Sequence, residues 1–285
     1  MTGNGSFILC ADDFALTDGV TAGVLALAEA GRLSATSAIV TTAHWPAHAR
    51  LALRFRSRLA IGLHLNLTFG QPLGPMTVLA PDGNLPPLSR LIRLAATAAI
   101  DRGEIAAEIT RQLERFESEI GFPPDFFDGH HHVHVLPGIR HAVLDVLQRR
   151  ASTGRMLVRD PADSPLKIVR RRVASGKALS VAVLAFGFRA LALRSGFPVN
   201  LGFSGYSTFG GTPYAEEFAA FLRYPGKRHI VMCHPGLVDD ELGPADSIGR
   251  RRLEEYALLS TCPEIPNSIW RPDRSPTAAD CEWPG

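Results

Sequence analysis

Five short apolar runs along this chain each stop at a residue able to carry charge or a proton, and that repeated punctuation restricts the folds open to it. Phe7-Ile8-Leu9-Cys10-Ala11 ends in Asp12-Asp13, Leu59-Ala60-Ile61-Gly62-Leu63 runs into His64, and Phe126-Phe127 leads into Asp128-Gly129 and a histidine cluster. Met156-Leu157-Val158 delivers Arg159-Asp160, and His229-Ile230-Val231-Met232-Cys233 delivers His234-Pro235-Gly236. These runs have the length and composition of strands, and helical patterns lie between them. Gly19 to Ala30 is rich in Ala and Leu and stops at Gly31, while Glu104 to Ile120 repeats apolar residues at helical spacing up to Gly121. A third helix is predicted from Ile139 to Arg150. Strands alternating with helices argue for βα units around a parallel sheet or barrel, in which sites form where the strands' carboxyl ends meet. A length of 285 residues allows one large α/β domain or two small ones.

Four of the ten histidines fall within 130–134, in the run His130-His131-His132-Val133-His134. Read as a strand, the run would send His130, His132 and His134 to one face and His131 to the other. That concentrates imidazole suited to a divalent metal. The plain alternative is a solvated polar loop. Adjacent carboxylates at Asp12-Asp13 would likewise point to opposite faces of their strand and so take different jobs, one ligating a metal and one acting on a nearby water. Joined to His64 and the cluster, they form a candidate Asp-His-His site, and three protein ligands with positions left open are the pattern of catalytic metals. The segment 68–87 is rich in Pro and Gly and reads as a long loop, of the kind that is functional or mobile. Lys plus Arg number 30 against 28 acids, which gives no electrostatic case for nucleic acid. The runs 170–172 and 250–252, three arginines each, read as solvated helix faces. Four cysteines without CxxC spacing suggest a reducing compartment, and no secretory leader is visible, so a cytoplasmic location is expected.

Ala11-Asp12-Asp13-Phe14, Gly62-Leu63-His64-Leu65, Asp128 to His134 and Cys233-His234-Pro235-Gly236 resemble, in order, the motifs of the YdjC-like carbohydrate deacetylases, the ChbG and HpnK group. The match runs from the N-terminus to about Trp270. The resemblance implies a distorted TIM-like (β/α) barrel of class α/β in one domain, 1–271, and removal of N-acetyl groups from amino sugars with a divalent metal. Carried over by residue, Asp13, His64 and His130 match the metal ligands, Asp12 the general base and His234 the general acid. The family's glycine after Asp-Asp-Phe is Ala15 here, and its usual serine between the aspartate and first histidine is Gly129. Both departures bear on substrate preference.

The expected chemistry is metal-assisted amide hydrolysis, with Asp12 taking a proton from water and protonated His234 giving one to the departing amine. The plain alternative for His234 is a core histidine satisfied by a backbone carbonyl. Arg159 is expected to orient Asp12 or bind acetate, with a surface salt bridge as its alternative. His132 and His134 are expected to support the site or touch substrate, and His131 to lie away from it. Phe203 and Tyr206, in Gly202-Phe203-Ser204-Gly205-Tyr206, form a sugar-binding loop or a simple turn. The ligand set suits Zn²⁺, Fe²⁺, Co²⁺ or Ni²⁺ on softness, while the resemblance implies Mg²⁺. Lys177 to Leu193 is the most apolar stretch and follows the basic Lys167 to Arg172. It reads as a buried helix or a dimer contact, or else, over 167–193, as a peripheral membrane surface. The tail 272–285 is expected to be poorly ordered. Competing functions are another metal hydrolase of the amidohydrolase or phosphoesterase type, which usually carries His-x-His on its first strand, or a catalytically silent metal- or carbohydrate-binding protein.

Overall fold

The computed structural model describes residues 7–150, 156–237, 239, 241, 248–275 and 281–284. Seven strands, β1 (Ile8–Phe14), β2 (Ala35–Ala38), β3 (Ala60–Leu65), β4 (Phe126–Gly129), β5 (Leu157–Val158), β6 (Gly202–Ser204) and β7 (His229–Cys233), form one sheet in the order β5-β4-β3-β2-β1-β7-β6. Every pairing is parallel. Between and after the strands run α1 (Asp18–Glu29), α2 (Trp45–Leu53), α3 (Leu88–Ala96), α4 (Arg102–Ile120), α5 (Ile139–Arg149), α6 (Pro165–Arg171), α7 (Ser175–Leu184), α8 (Phe188–Arg194), α9 (Tyr214–Phe221), α10 (Gly249–Thr261) and α11 (Ile265–Ser268). This is an α/β fold built as a distorted, incomplete barrel.

The edges β5 and β6 are joined by other means than a strand ladder. The Val158 N–H donates to the Pro198 carbonyl at 2.9 Å. Asn200 then works across the seam: its Oδ1 accepts from the Asp160 N–H at 2.8 Å, while its Nδ2 donates to the carbonyls of Asp160 at 2.8 Å and Gly202 at 3.0 Å.

Period-two alternation explains how the strands deliver chemistry. Ile8, Cys10, Ala35, Ala60, Phe126, Leu157, Phe203, Ile230 and Met232 pack into one apolar cluster, distinct from the larger core formed with the helices. One or two further steps of two along the same rows lead to Asp12, Ser37, His64, Asp128, Arg159 and His234. These six rows thus begin as apolar filling and end as a polar group, while that of Phe203 leads to Gly205. Gly62 keeps this interior packable, because a Cβ there would meet the Phe126 ring at 2.5 Å.

The helices begin where local chemistry favours them. Thr17 accepts from the Val20 N–H at 3.3 Å ahead of α1, and Asp101 accepts from the N–H groups of Gly103 and Glu104 ahead of α4, which Gly121 closes at φ 78°. The long segment 68–87 is pinned to α4: the N–H of Leu73 donates to Glu108 at 3.0 Å, and those of Val78 and Leu79 donate to Glu104 at 2.9 Å. Its own Met76, Leu79, Ala80 and Leu85 are buried.

Four expectations need correction. The described part of the tail is packed: Arg274 forks onto Asp125 with both contacts at 2.6 Å, and Trp283 stacks on Trp270 and meets Phe126 edge-on. Of the arginine runs, Arg171, Arg251 and Arg252 are buried, since each finds a carboxylate or carbonyl partner inside; only their neighbours are solvated. The histidine run is not a strand. β4 ends at Gly129, and His130–Val135 winds into a 3-10 turn with His131 and His132 at φ 55° and 58°. Finally, Lys177 to Leu193 is a bent helix pair, α7 and α8, and Ala178 is the buried residue of α7.

Candidate active site

Asp12 and Asp13 do not alternate as a regular strand would. The pairing of β1 with β2 slips between Ala11 and Phe14, and Asp13 adopts φ 66°, a left-handed conformation unusual for a non-glycine residue. The slip turns both carboxylates toward the same end of the barrel. Ala15, at the position of the family's glycine, is also left-handed at φ 65°. Strain of this kind at two residues separated only by Phe14 marks a backbone bent for a purpose that the packing sustains.

Asp13 Oδ1 lies 3.0 Å from His130 Nδ1 and 3.4 Å from His64 Nε2, and its Oδ2 accepts from Arg252 at 2.8 Å. Burial pushes the Asp13 pKa up, but His130 and Arg252 outweigh it and hold the carboxyl well below the usual range. One ligand atom from each of Asp13, His64 and His130 lies within 4.8 Å of the others. Around a tetrahedral ion with bonds of about 2.1 Å, ligand atoms sit about 3.4 Å apart.

His64 supplies a second test of that fit. Parallel register sets it directly opposite Asp128, whose Oδ1 takes the Nδ1 at 2.7 Å, while Ser37 Oγ lies 3.0 Å from the same nitrogen. An Nδ1–H given to Asp128 leaves the Nε2 lone pair facing the Asp13 carboxylate. Two acceptors then confront one another, an arrangement favourable only with a positive species between them. Burial alone lowers the His64 pKa, yet the Asp128 charge prevails and raises it to about 10, so a proton fills that role in the metal-free protein.

Asp12 belongs to a different network. Arg159, with no exposed surface, forks onto it at 2.6 and 2.8 Å and reaches Asp128 Oδ2 at 2.7 Å and Cys10 Sγ at 2.9 Å. The carboxylate is desolvated, but the guanidinium more than compensates and keeps it ionised. The neighbouring group Cys10, Asp12 and Asp128 is therefore occupied by a cation already, the guanidinium itself. The same geometry removes two expectations for Arg159: it forms no surface salt bridge, and it has no exposed face with which to hold acetate.

His234, just past β7, is half-buried. Its N–H donates to Glu255 at 2.5 Å, and its ring has no hydrogen bond to protein among the described residues. Burial lowers its pKa to about 4, against the pull of Asp13 and Asp12. It is not a core histidine held by a carbonyl. That description fits His134, whose Nε2–H donates to the Arg159 carbonyl at 2.8 Å from a fully buried ring, so the expectation that His134 touches substrate is corrected.

His132 stands edge-on to Phe203 and Tyr206 at 5.8 and 5.5 Å. Those two rings are themselves buried, and the Tyr206 hydroxyl donates to the Pro161 carbonyl, so they support His132 and offer no free face to a sugar. His131 was expected away from the site. It lies against the His130 ring at 3.9 Å and pairs with Thr68 at 3.0 Å, because its left-handed backbone folds it back over its neighbour.

Four contributors escaped the sequence reading: Ser37, Asp128, Arg252 and Glu255. Asp128 had a signal, since it precedes His130 by two at the same strand end. Arg252 and Glu255 lie one turn apart on α10, and nothing local distinguishes them from surface charges.

A model of the YdjC-like protein family matches residues 6–264. The chain belongs to the YdjC-like family. Among relatives of this YdjC-like chain, the chitooligosaccharide deacetylases of Yersinia pestis (strain Pestoides F) and Yersinia pseudotuberculosis serotype O:1b are 30% identical over 278 residues, 96% of this chain and 98% of theirs. An Enterococcus faecalis V583 crystal structure, described in terms of cellobiose-phosphate cleavage, superposes with a TM-score of 0.67 at 20% identity, covering 94% of this chain and 96% of that one. That likeness speaks for the fold.

Two histidines give this YdjC-like protein a defined acid lability. His134 and His229, the latter 2.9 Å from Ser204 Oγ, are lowered by burial to about 4. An unfolded histidine binds a proton near pH 6.5, so between there and pH 4 the unfolded chain holds protons that the fold excludes. Stability is present above pH 6.5 and lost as pH falls across that interval, by up to about 3 kcal/mol for each ring. Urea midpoints measured at steps from pH 7 to 4 should decline, whereas a flat profile would mean that both rings protonate within the fold.

Proposed function

We propose that this chain is a metal-dependent deacetylase that hydrolyses the N-acetyl group of an amino sugar, in an oligosaccharide or a lipid-linked glycan, and releases acetate. The observation that carries the reading is the gathering of Asp13, His64 and His130 beside the Arg159-clamped Asp12 and the His234 ring, which has no hydrogen-bond partner among the described residues, at one end of the barrel. The names of the full-length relatives support the same chemistry. The first strand carries Asp12-Asp13 in place of a His-x-His pair, which argues against the amidohydrolase alternative.

Asp13, His64 and His130 would hold a divalent ion, which when bound would supply Lewis acidity toward the acetyl oxygen and a more acidic water. Asp12, fixed and ionised by Arg159, takes a proton from the attacking water. The oxygen adds to the carbonyl carbon, the C–N bond breaks, and acetate and an amine result. His234 is neutral at pH 7 in the resting protein, so the proton that reaches the departing amine is the one Asp12 took from water, relayed by the His234 ring as negative charge develops on the acetyl group beside it, and Asp12 is left ionised again. Glu255 fixes the backbone from which that ring projects. Two imidazoles to one carboxylate favour an ion of the Zn²⁺ class; the Mg²⁺ implied by resemblance draws no support from this donor set. Four unpaired cysteines fit a reducing, cytoplasmic setting.

Acetate release from N-acetylated chitooligosaccharides should vanish on chelation and return with added divalent metal, and His64→Ala should lose bound metal in elemental analysis. Undiminished turnover by metal-free protein would sink the metal reading. Failure on every N-acetylated sugar would favour a binding role.

A further inference from the structure

From Ser164 to Ala215 the chain contains no Asp or Glu, yet it carries seven cations: Lys167, Arg170, Arg171, Arg172, Lys177, Arg189 and Arg194. Two are used internally, Arg171 on Asp163 and Arg189 on Asp160, both at 2.7 Å. Among the described residues the other five have no carboxylate in ion-pair contact. The same segment is apolar where it meets solvent. Phe186 is 84% exposed, Val183 74%, Leu166 58%, Val169 54% and Leu193 52%, and these are the five most exposed large apolar side chains among the described residues.

Apolar surface of that kind is normally buried, so concentrating it in one connection calls for an occupant. The presentation is also held in place. Arg140, from α5, donates to the carbonyls of Leu184 at 2.5 Å and Phe186 at 2.8 Å, which fixes the 45° bend between α7 and α8 with Val183 and Phe186 outward.

We propose that α6, α7 and α8 dock this protein on an anionic phospholipid bilayer, with Phe186 and Val183 entering the interface and the exposed Arg170, Arg172 and Arg194 facing lipid phosphates. At 10 and 7 residues, α7 and α8 reach about 15 and 10 Å, too short to cross a hydrocarbon core of about 30 Å, so they lie in its surface. Charge selects lipid over a second copy. A two-fold contact sets the same patch against itself, and with no acid between 164 and 215 it would oppose cation to cation. An anionic leaflet complements each of them. The inference stands apart from the deacetylase reading, since it uses none of the site residues.

The test is co-sedimentation with vesicles of phosphatidylcholine alone and of phosphatidylcholine mixed with phosphatidylglycerol. The protein should pellet with the anionic vesicles about tenfold more than with the neutral ones, less so in high salt. Val183→Asp with Phe186→Asp, and separately Arg170→Glu with Arg194→Glu, should abolish pelleting while circular dichroism and acetate release from soluble sugar stay as in the parent. Parent protein left in the supernatant with anionic vesicles overturns the proposal, as do variants that pellet like the parent. A dimer in light scattering that Phe186→Asp dissociates would assign the face to a second copy and overturn it equally.

Discussion

Asp12→Asn is expected to lower turnover on an N-acetylated sugar by about 10²–10⁴-fold while metal affinity stays within about tenfold of the parent. The asymmetry follows from the two networks. Asp12 contacts Arg159 and Ser37, whereas the candidate ligand atoms belong to Asp13, His64 and His130. The amide keeps the shape of the carboxylate and one acceptor for the guanidinium, so the fold should survive, and circular dichroism at the assay temperature checks that it does. What disappears is the capacity to take a proton. Elemental analysis alongside acetate release reads both halves of the expectation. Parent-like turnover would remove Asp12 as the base, and loss of metal together with activity would move Asp12 into the metal site.

The largest structural effect is expected from Arg159→Met, a loss of about 3–5 kcal/mol in urea unfolding at pH 7. A methionine fills much of the volume between Phe126 and Phe203, whose rings lie 5.8 Å from the guanidinium carbon, so the loss is not chiefly a cavity. It comes from Asp12 and Asp128, which remain buried without their shared cation. Adding Asp12→Asn and Asp128→Asn to the Arg159→Met protein should recover part of the loss, because neutral amides tolerate burial better than charges. A cost below about 1 kcal/mol would show that water or a proton already compensates these carboxylates.

How much of this could be read from the chain depended on the range of each interaction. Strand ends were legible because a strand is a local pattern, and alternation carries its facing forward by twos. That reasoning places Asp12, His64, Arg159 and His234 at one end of a parallel barrel. It fails where the backbone breaks step. The slip at Asp12-Asp13 and the left-handed pair His131-His132 are set by packing; aspartate and histidine tolerate positive φ better than most side chains, but neither demands it. Charges were the other blind point. Arg159 and Asp12 are 147 residues apart, and Arg252 reaches Asp13 across 239. A charged side chain on its own reads as solvated, and only its distant partner makes it a buried one. Phe203 and Tyr206 show the converse, since an aromatic in a glycine-rich loop looks available until the ring packed over it is known.

Asn200 gives the seam between β5 and β6 a meaning beyond closure. A full barrel is held round its circumference by many interchangeable backbone bonds, so no single side chain decides its girth. Here one amide holds the peptide at Asp160 and the carbonyl of Gly202, and the residue before Asp160 is Arg159. The girth of the barrel and the position of its central cation are therefore set by the same few atoms. A residue outside the candidate site, and silent in any motif, thus helps to set how wide the end of the barrel that gathers Asp12, His64 and Arg159 can be.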